Sequence, residues 1–309
     1  MFFGRSMSVS VALIPVFGLI LLGYFLKRAG FPGDTFWGQA EKLTYFLFFP
    51  AMLIYKLTNA ERGGIEISKL FMVVVSFLLT MSFILILCQK IFRWNGPVFT
   101  SVYQGGIRFN SYVGLAAISE LYGDAYVPSA AVAMSLMIPL INLLCILIFA
   151  VWGGKNIKGI GGILKAIVTN PLIIACLVGI TFNMLGVSFH PVIEGIISPL
   201  SVLALPMGLM AVGAGLNLKA LRSTSLPFFV SSGIKLIVFP LVSLFLLRLM
   251  GADEVTTVVV ILLSTLPTAS SAYILARQLG GDAHLMAGII SGQTLLAIIT
   301  IPLMVVYLL

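Results

Sequence analysis

The sequence predicts an all-α membrane protein of ten transmembrane helices, built as two inverted five-helix repeats in which helices four and nine are broken. Three observations point there: ten apolar runs of spanning length, landmarks that recur at a nearly constant offset, and interruptions at matching places in runs four and nine. Hydrophobic residues make up 60% of the 309 positions and charged ones 9%, with a mean hydropathy of +1.14. A soluble domain carries about 25% charged residues, so no soluble core could hide this much apolar surface.

With about 20 apolar residues as the length of one span, the runs fall near 8–27, 36–58, 68–92, 98–121, 126–152, 165–185, 191–216, 226–250, 255–279 and 284–309. The first reads as a helix rather than a cleaved signal, because its apolar stretch is long and no small-residue cleavage site precedes the second run. The Gly/Lys-rich stretch Trp152–Lys165 falls at the midpoint and divides the chain. The expected organisation is a first repeat over 1–152, a connecting loop over 153–164 and a second repeat over 165–309, with no soluble domain.

The net charge is +8, but the basic residues are scattered between apolar runs rather than gathered in a patch, so they read as topology signals and not as a nucleic-acid surface. With the N-terminus outside, eleven Lys and Arg, among them Lys155, Lys158 and Lys165, fall in inside loops, against five outside, among them Arg62. Basic residues resist translocation, so both termini are expected outside in a multi-pass protein of the cell (inner) membrane. Cys88, Cys145 and Cys176 sit in apolar runs without metal or disulfide spacing and read as packing residues. No metal and no cofactor are expected.

The repeat can be checked by position. Pro15 and Pro171, Gly23 and Gly179, Gly30 and Gly186, and Pro50 and Pro206 are each 156 apart, while LYGDA (Leu121–Ala125) and LGGDA (Leu279–Ala283) are 158 apart. Five spans per unit is an odd number, so the second copy enters from the opposite side. Pro50 and Pro206 are expected to break runs two and seven, leaving Met52 and Met207 open to either cavity lining or packing. The small-residue string Met210–Leu216 (MAVGAGL) is expected to let helices approach closely.

Broken helices are tolerated in hydrocarbon only where they are buried or line a cavity, so they mark sites. Run four holds QGGIRFNSYVG (Gln104–Gly114) and run nine holds STLPTASSAY (Ser264–Tyr273); at the 158 offset Asn110 falls on Thr268 and Phe109 on Pro267. Half-helix N-termini at such breaks offer N–H groups to an anion. Arg108 lies too deep to snorkel fully, leaving substrate duty or a structural bond to helix carbonyls. Lys235 is the other deep cation, open to function or to snorkelling. The candidate binding residues are Arg108, Asn110, Ser111, Pro267, Thr268, Ser270, Ser271 and Lys235. No Asp or Glu falls at mid-depth; Glu120, Asp124, Asp282 and His284 lie near run ends, as gate groups or solvated loop residues. His190 reads as an interfacial residue.

The segments NSYVGLAAISELYGDA in run four and LPTASSAYILARQLGGDA in run nine, with ten spans, resemble the auxin efflux carrier family of bacterial permeases, relatives of plant auxin exporters. The resemblance covers nearly the whole chain. It implies crossing helices four and nine, a scaffold beside a mobile transport domain, elevator-like alternating access, and organic-anion substrates such as malate, malonate or auxin. It also implies that Asn110 hydrogen-bonds a carboxylate. Where many relatives carry a second asparagine, this chain has Ser270 and Ser271, which suits a small hydrated dicarboxylate better than auxin. The run PTASSAY looks most like malonate-type members.

The expected function is therefore secondary transport of a small organic mono- or dicarboxylate, with a membrane sensor or receptor for such an anion as the alternative. The expected partners are that anion and the lipid bilayer, without nucleic acid and with a homodimer left open. An intramembrane protease would need paired aspartates, a zinc-binding His pair or a Ser/His dyad at depth, and both histidines lie near run ends, so no enzyme is expected. With no deep carboxylate, sodium should stimulate flux only weakly; strong stimulation in a liposome assay would overturn that expectation.

Overall fold

The computed structural model describes residues 2–33, 35–60, 67–153, 169–223 and 225–309. Nearly all of the connecting loop lies outside them, as do Arg62, Lys155, Lys158 and Lys165 and the start of the sixth run. In chain order the helices are α1 (Phe2–Arg28), α2 (Phe36–Leu43), α3 (Phe49–Thr58), α4 (Ile67–Phe92), α5 (Gly96–Ile107), α6 (Ser111–Tyr122) and α7 (Val127–Trp152). There follow α8 (Pro171–Leu185), α9 (Pro191–Ala214), α10 (Leu226–Gly233), α11 (Phe239–Leu249), α12 (Glu254–Thr265), α13 (Ser271–Leu279) and α14 (Ala283–Leu308). No strand occurs among the described residues.

Among the described residues, six stretches are long and apolar enough to cross a membrane: Val9–Arg28, Ser68–Phe92, Asp124–Trp152, Pro191–Ala214, Leu226–Leu249 and Ala283–Leu308. Large apolar side chains such as Ile14, Phe83 and Val202 point outward on them, exposed by 63–70%. A surface like that is stable against lipid and not against water. The remaining runs fall short for visible reasons. Runs four and nine are each divided into two short helices, run two carries Gln39, Glu41 and Lys42 in its first half, and run six is described only from Thr169 onward.

Helix starts follow local chemistry. Asn95, Asn170, Asp253 and Asp282 accept backbone N–H bonds at the first turns of α5, α8, α12 and α14. His190 does the same for α9 through Nδ1 at 3.4 Å. Asp124 accepts from Ser119 and pairs with Lys56, tying the end of α3 to the turn after α6.

Pro50 and Pro206 do not break their helices, contrary to expectation. Pro206 lies inside continuous α9, and Pro50 follows the π-turn Thr44–Phe48, through which α2 runs on into α3. A proline removes one amide donor and crowds the carbonyl four residues back; one wider turn accommodates both without interrupting the helix. The same device, Ile234–Val238, precedes Pro240 and joins α10 to α11. Met52 is buried and Met207 half-buried, both packed in the apolar core.

The helix contacts fall into two sets, each drawing on both ends of the chain and joined where α1 meets α6 and α14 and where α3 meets α7. In one, α1 runs along α9, and α3 packs on α8 and α9. In the other, α5 packs on α7, α10 and α14, while α12 packs on α7, α11 and α14. The α1–α9 contact is backbone to backbone: a Cβ on Gly213 would land on the carbonyl of Ile20, and one on Gly23 on that of Met210. The string MAVGAGL thus performs the close approach expected of it. Gly213→Leu should lower the detergent unfolding temperature, with overpacking costing about 1–3 kcal/mol. Gly195→Ala in the same helix meets nothing within 4 Å and should leave it unchanged; equal melting of both variants would refute the close contact.

Candidate functional site

Between α5 and α6 the chain leaves helical geometry over Arg108–Asn110, and between α12 and α13 over Leu266–Ser270. The freed backbone groups satisfy one another. The Asn110 amide donates to the Pro267 carbonyl at 2.8 Å, so the two interruptions touch. Gln293 of α14 completes the junction: its Oε1 accepts from the Thr268 amide at 3.0 Å and its Nε2 donates to the Gly105 carbonyl at 3.0 Å. The Thr268 hydroxyl adds a long bond to the Gln104 carbonyl at 3.4 Å. Every group in this knot is buried, so a missing partner would cost about 1–3 kcal/mol.

Four half-helix ends therefore face a small volume, two with partial positive charge (α6, α13) and two with partial negative charge (α5, α12). Asn110 neutralises the α6 end itself, its Oδ1 accepting from Tyr112 and Val113. No side chain caps the start of α13.

Beside the knot lies a cavity of about 270 Å³, lined by Arg108, Phe109 and Ser111 from the first break and by Ala269 and Ser271 from the second. Tyr45, Asn142 and Asn170 form its polar far side. The guanidinium of Arg108 donates to Gln104 Oε1 at 3.3 Å and to Asn142 Oδ1, both neutral. Neither partner is a carboxylate, so the charge of Arg108 is left for the cavity. The adjacent Gln104 Nε2 is buried with no hydrogen-bond acceptor. The cavity is smaller than the ~300–1,000 Å³ usual for drug-sized ligands, and suits a small solute.

A second cavity of about 410 Å³, lined by Lys27, Glu41, Asn217, Ser270, Tyr273 and others, lies on the other side of the α13 start. Ser270 donates its hydroxyl to Glu41 Oε1 at 3.0 Å.

The structure thus brings Arg108, Ser111 and Ser271 together around one cavity and sends Ser270 to the other. Asn110, Pro267 and Thr268 are committed to the knot. Lys235 does not snorkel: it is fully buried, away from both cavities, with Nζ donating to the Ser264 carbonyl. Its side chain is enclosed among neighbouring helices, while Ile237 two residues on takes the outward face of the same stretch, so the stem does not lead to the surface.

Sequence reasoning missed Tyr45, Asn142, Asn170, Gln293 and Glu41. Lone amides within apolar runs, Asn142 and Gln293, and the Asn170–Pro171 helix start were visible signals. Glu41 gave none, because it sits near a run end and reaches the break only through the packing of α2.

The sequence matches the family model described as membrane transport protein over residues 8–305. The chain belongs to that family, the family of the auxin efflux carriers. Among its relatives, an uncharacterized transporter of Methanothermobacter thermautotrophicus is 23% identical over 96% of this chain and 97% of its own length. A protein of Rhizobium meliloti, provisionally named a malonate transporter, is 28% identical over 95% of this chain and 94% of its own length. Membership in a membrane transport family agrees with the multi-pass architecture and with the polar cavity inside it.

The knot makes a stability prediction. Gln293→Leu would leave the Thr268 amide and the Gly105 carbonyl unpaired, a loss of about 2–5 kcal/mol, whereas exposed Gln278→Leu on α13 should change little. Unchanged thermal unfolding of the Gln293 variant in detergent would show that the junction does not depend on it.

Proposed function

We propose that this member of the family is a secondary transporter that moves a small organic anion, a mono- or dicarboxylate, across the cell membrane. The single observation that carries the proposal is Arg108: a cation with only neutral partners, lining a small cavity where two broken helices meet. Ser111, Ser271, Tyr45, Asn142 and Asn170 supply neutral hydrogen-bonding groups around it. The uncapped start of α13 adds a partial positive charge. A carboxylate forms a forked pair with a guanidinium, which fixes orientation as well as charge. The Rhizobium relative's name makes malonate the first substrate to try.

The proposed mechanism is elevator-like alternating access in a ten-span protein built from two inverted repeats, 1–152 and 165–309, whose fourth and ninth spans cross at the knot. The cavity lies between the two helix groups, with Tyr45, Asn170 and Leu172 from one and Arg108, Asn142 and Ser271 from the other. Sliding one group past the other would carry the bound anion across without dismantling the knot, which belongs wholly to one group. Both termini are placed outside, in the inner membrane, on the charge distribution of the loops.

Uptake into proteoliposomes, measured across C3 to C5 mono- and dicarboxylates, tests the reading. Saturable uptake of one or a few of them is expected. Arg108→Ala should reduce it about 100-fold, the scale of losing one buried charge-assisted pair, and Ser271→Ala only a few-fold. Normal uptake by the Arg108 variant would remove that residue from the site, and absence of uptake for every carboxylate would sink the substrate class.

A further inference from the structure

Lys235 is the buried charged group that the proposed substrate site leaves unused. It is the second residue of the π-turn Ile234–Val238, a wider turn that redirects side chains relative to a regular helix. Its side chain is 0% exposed. Nζ lies 3.2 Å from the carbonyl oxygen of Ser264 and 4.0 Å from the ring centre of Phe239, itself fully buried. Ser264 is the penultimate residue of α12, so the ammonium stands at the negative end of a half-helix. No carboxylate is paired with it among the described residues.

A buried cation in a bilayer protein is costly and needs compensation from its surroundings. Here the compensation comes from a helix carbonyl end and an aromatic face, both of which attract cations. The opposite break is treated differently: the carbonyl end of α5 is closed by the neutral donors Gln293 and Thr268. Half-helix C-terminal ends with free carbonyls are the groups with which broken-helix transporters hold a diffusible coupling cation.

We infer that Lys235 is a tethered cation, its ammonium filling at the carbonyl end of α12 a site that would otherwise take a monovalent ion. The side chain supplies permanently the charge that balances this end, so the break keeps its geometry through the transport cycle with no ion bound. Lys235 is thus a positioning residue and not a substrate ligand. Shortening it should uncover a cation site that the native protein does not offer.

This inference rests on the transporter reading for its functional consequence but not for its binding consequence, and two readouts separate them. Thermal unfolding of purified protein in detergent would be compared in sodium, potassium, methylammonium and choline chloride at equal ionic strength, together with malonate uptake in the same salts. The wild type should be indifferent to the cation in both. Lys235→Ala should melt at a lower temperature in choline, be restored by sodium or methylammonium, and lose uptake at least about ten-fold unless one of these is present. Lys235→Met fills the space without the charge, so it should lose uptake and not be rescued. A folded Ala variant indifferent to every small cation would overturn the inference, as would a Met variant that transports like the wild type or a wild type stabilised by sodium. If the Ala variant does not fold, the Met variant and the wild-type cation series decide the matter. If no carboxylate is transported by any form, the unfolding series still judges the cation site while the substrate reading alone falls.

Discussion

Inside a bilayer a backbone amide or carbonyl has no water to turn to, and each one left unpaired costs several kcal/mol. That constraint organises this protein, because two of its helices stop partway. Neither break could exist alone. The amide of Asn110 finds the carbonyl of Pro267, and Gln293 answers one orphan group from each side. Once the breaks must meet, α5, α6, α12, α13 and α14 have little freedom in where they lie, and the polar cavity beside the knot follows from that placement.

The charges obey the same accounting of ends. Each half-helix presents a partial charge to the interior, and the chain handles the four differently. Asn110 caps α6 from within, Gln293 and Thr268 close α5 with neutral donors, and Lys235 Nζ donates to the Ser264 carbonyl at the end of α12. Only the start of α13 is left without a capping side chain, and Ser271 there faces the cavity that Arg108 lines. The two breaks correspond in position but not in chemistry: Arg108 at the first falls on Leu266 at the second by the same 158-residue offset.

Tertiary placement also sorts the candidate residues by what they touch. Asn110 uses its side-chain oxygen to cap the first turn of α6, so only its Nδ2 is of the kind that donates to a carboxylate. Ser270 and Ser271 are adjacent in sequence and face different cavities, because they stand on either side of a helix start. Glu41 stands 229 residues before Ser270 in the chain and accepts from its hydroxyl. Pro50 and Pro206 were expected to interrupt helices and do not, since one wide turn or a continuous helix absorbs a proline where packing holds the flanks.

Composition and local residue chemistry are enough to say that the chain lives in a membrane, where most of its apolar runs begin and end, that runs four and nine are interrupted, and that an arginine stands at one interruption. These depend on composition over one run and on local chemistry such as Pro, Gly and capping Asn, which need no knowledge of neighbours. Which polar groups share a cavity, that Tyr45, Asn142 and Asn170 complete it, and that Lys235 points to a helix end instead emerge from the packing of the helices. A helix that is apolar on all sides carries no hydrophobic stripe to say which face turns inward. Its rotation is set by close contacts with neighbours, as at Gly213 against Ile20, and those exist only once the bundle is assembled.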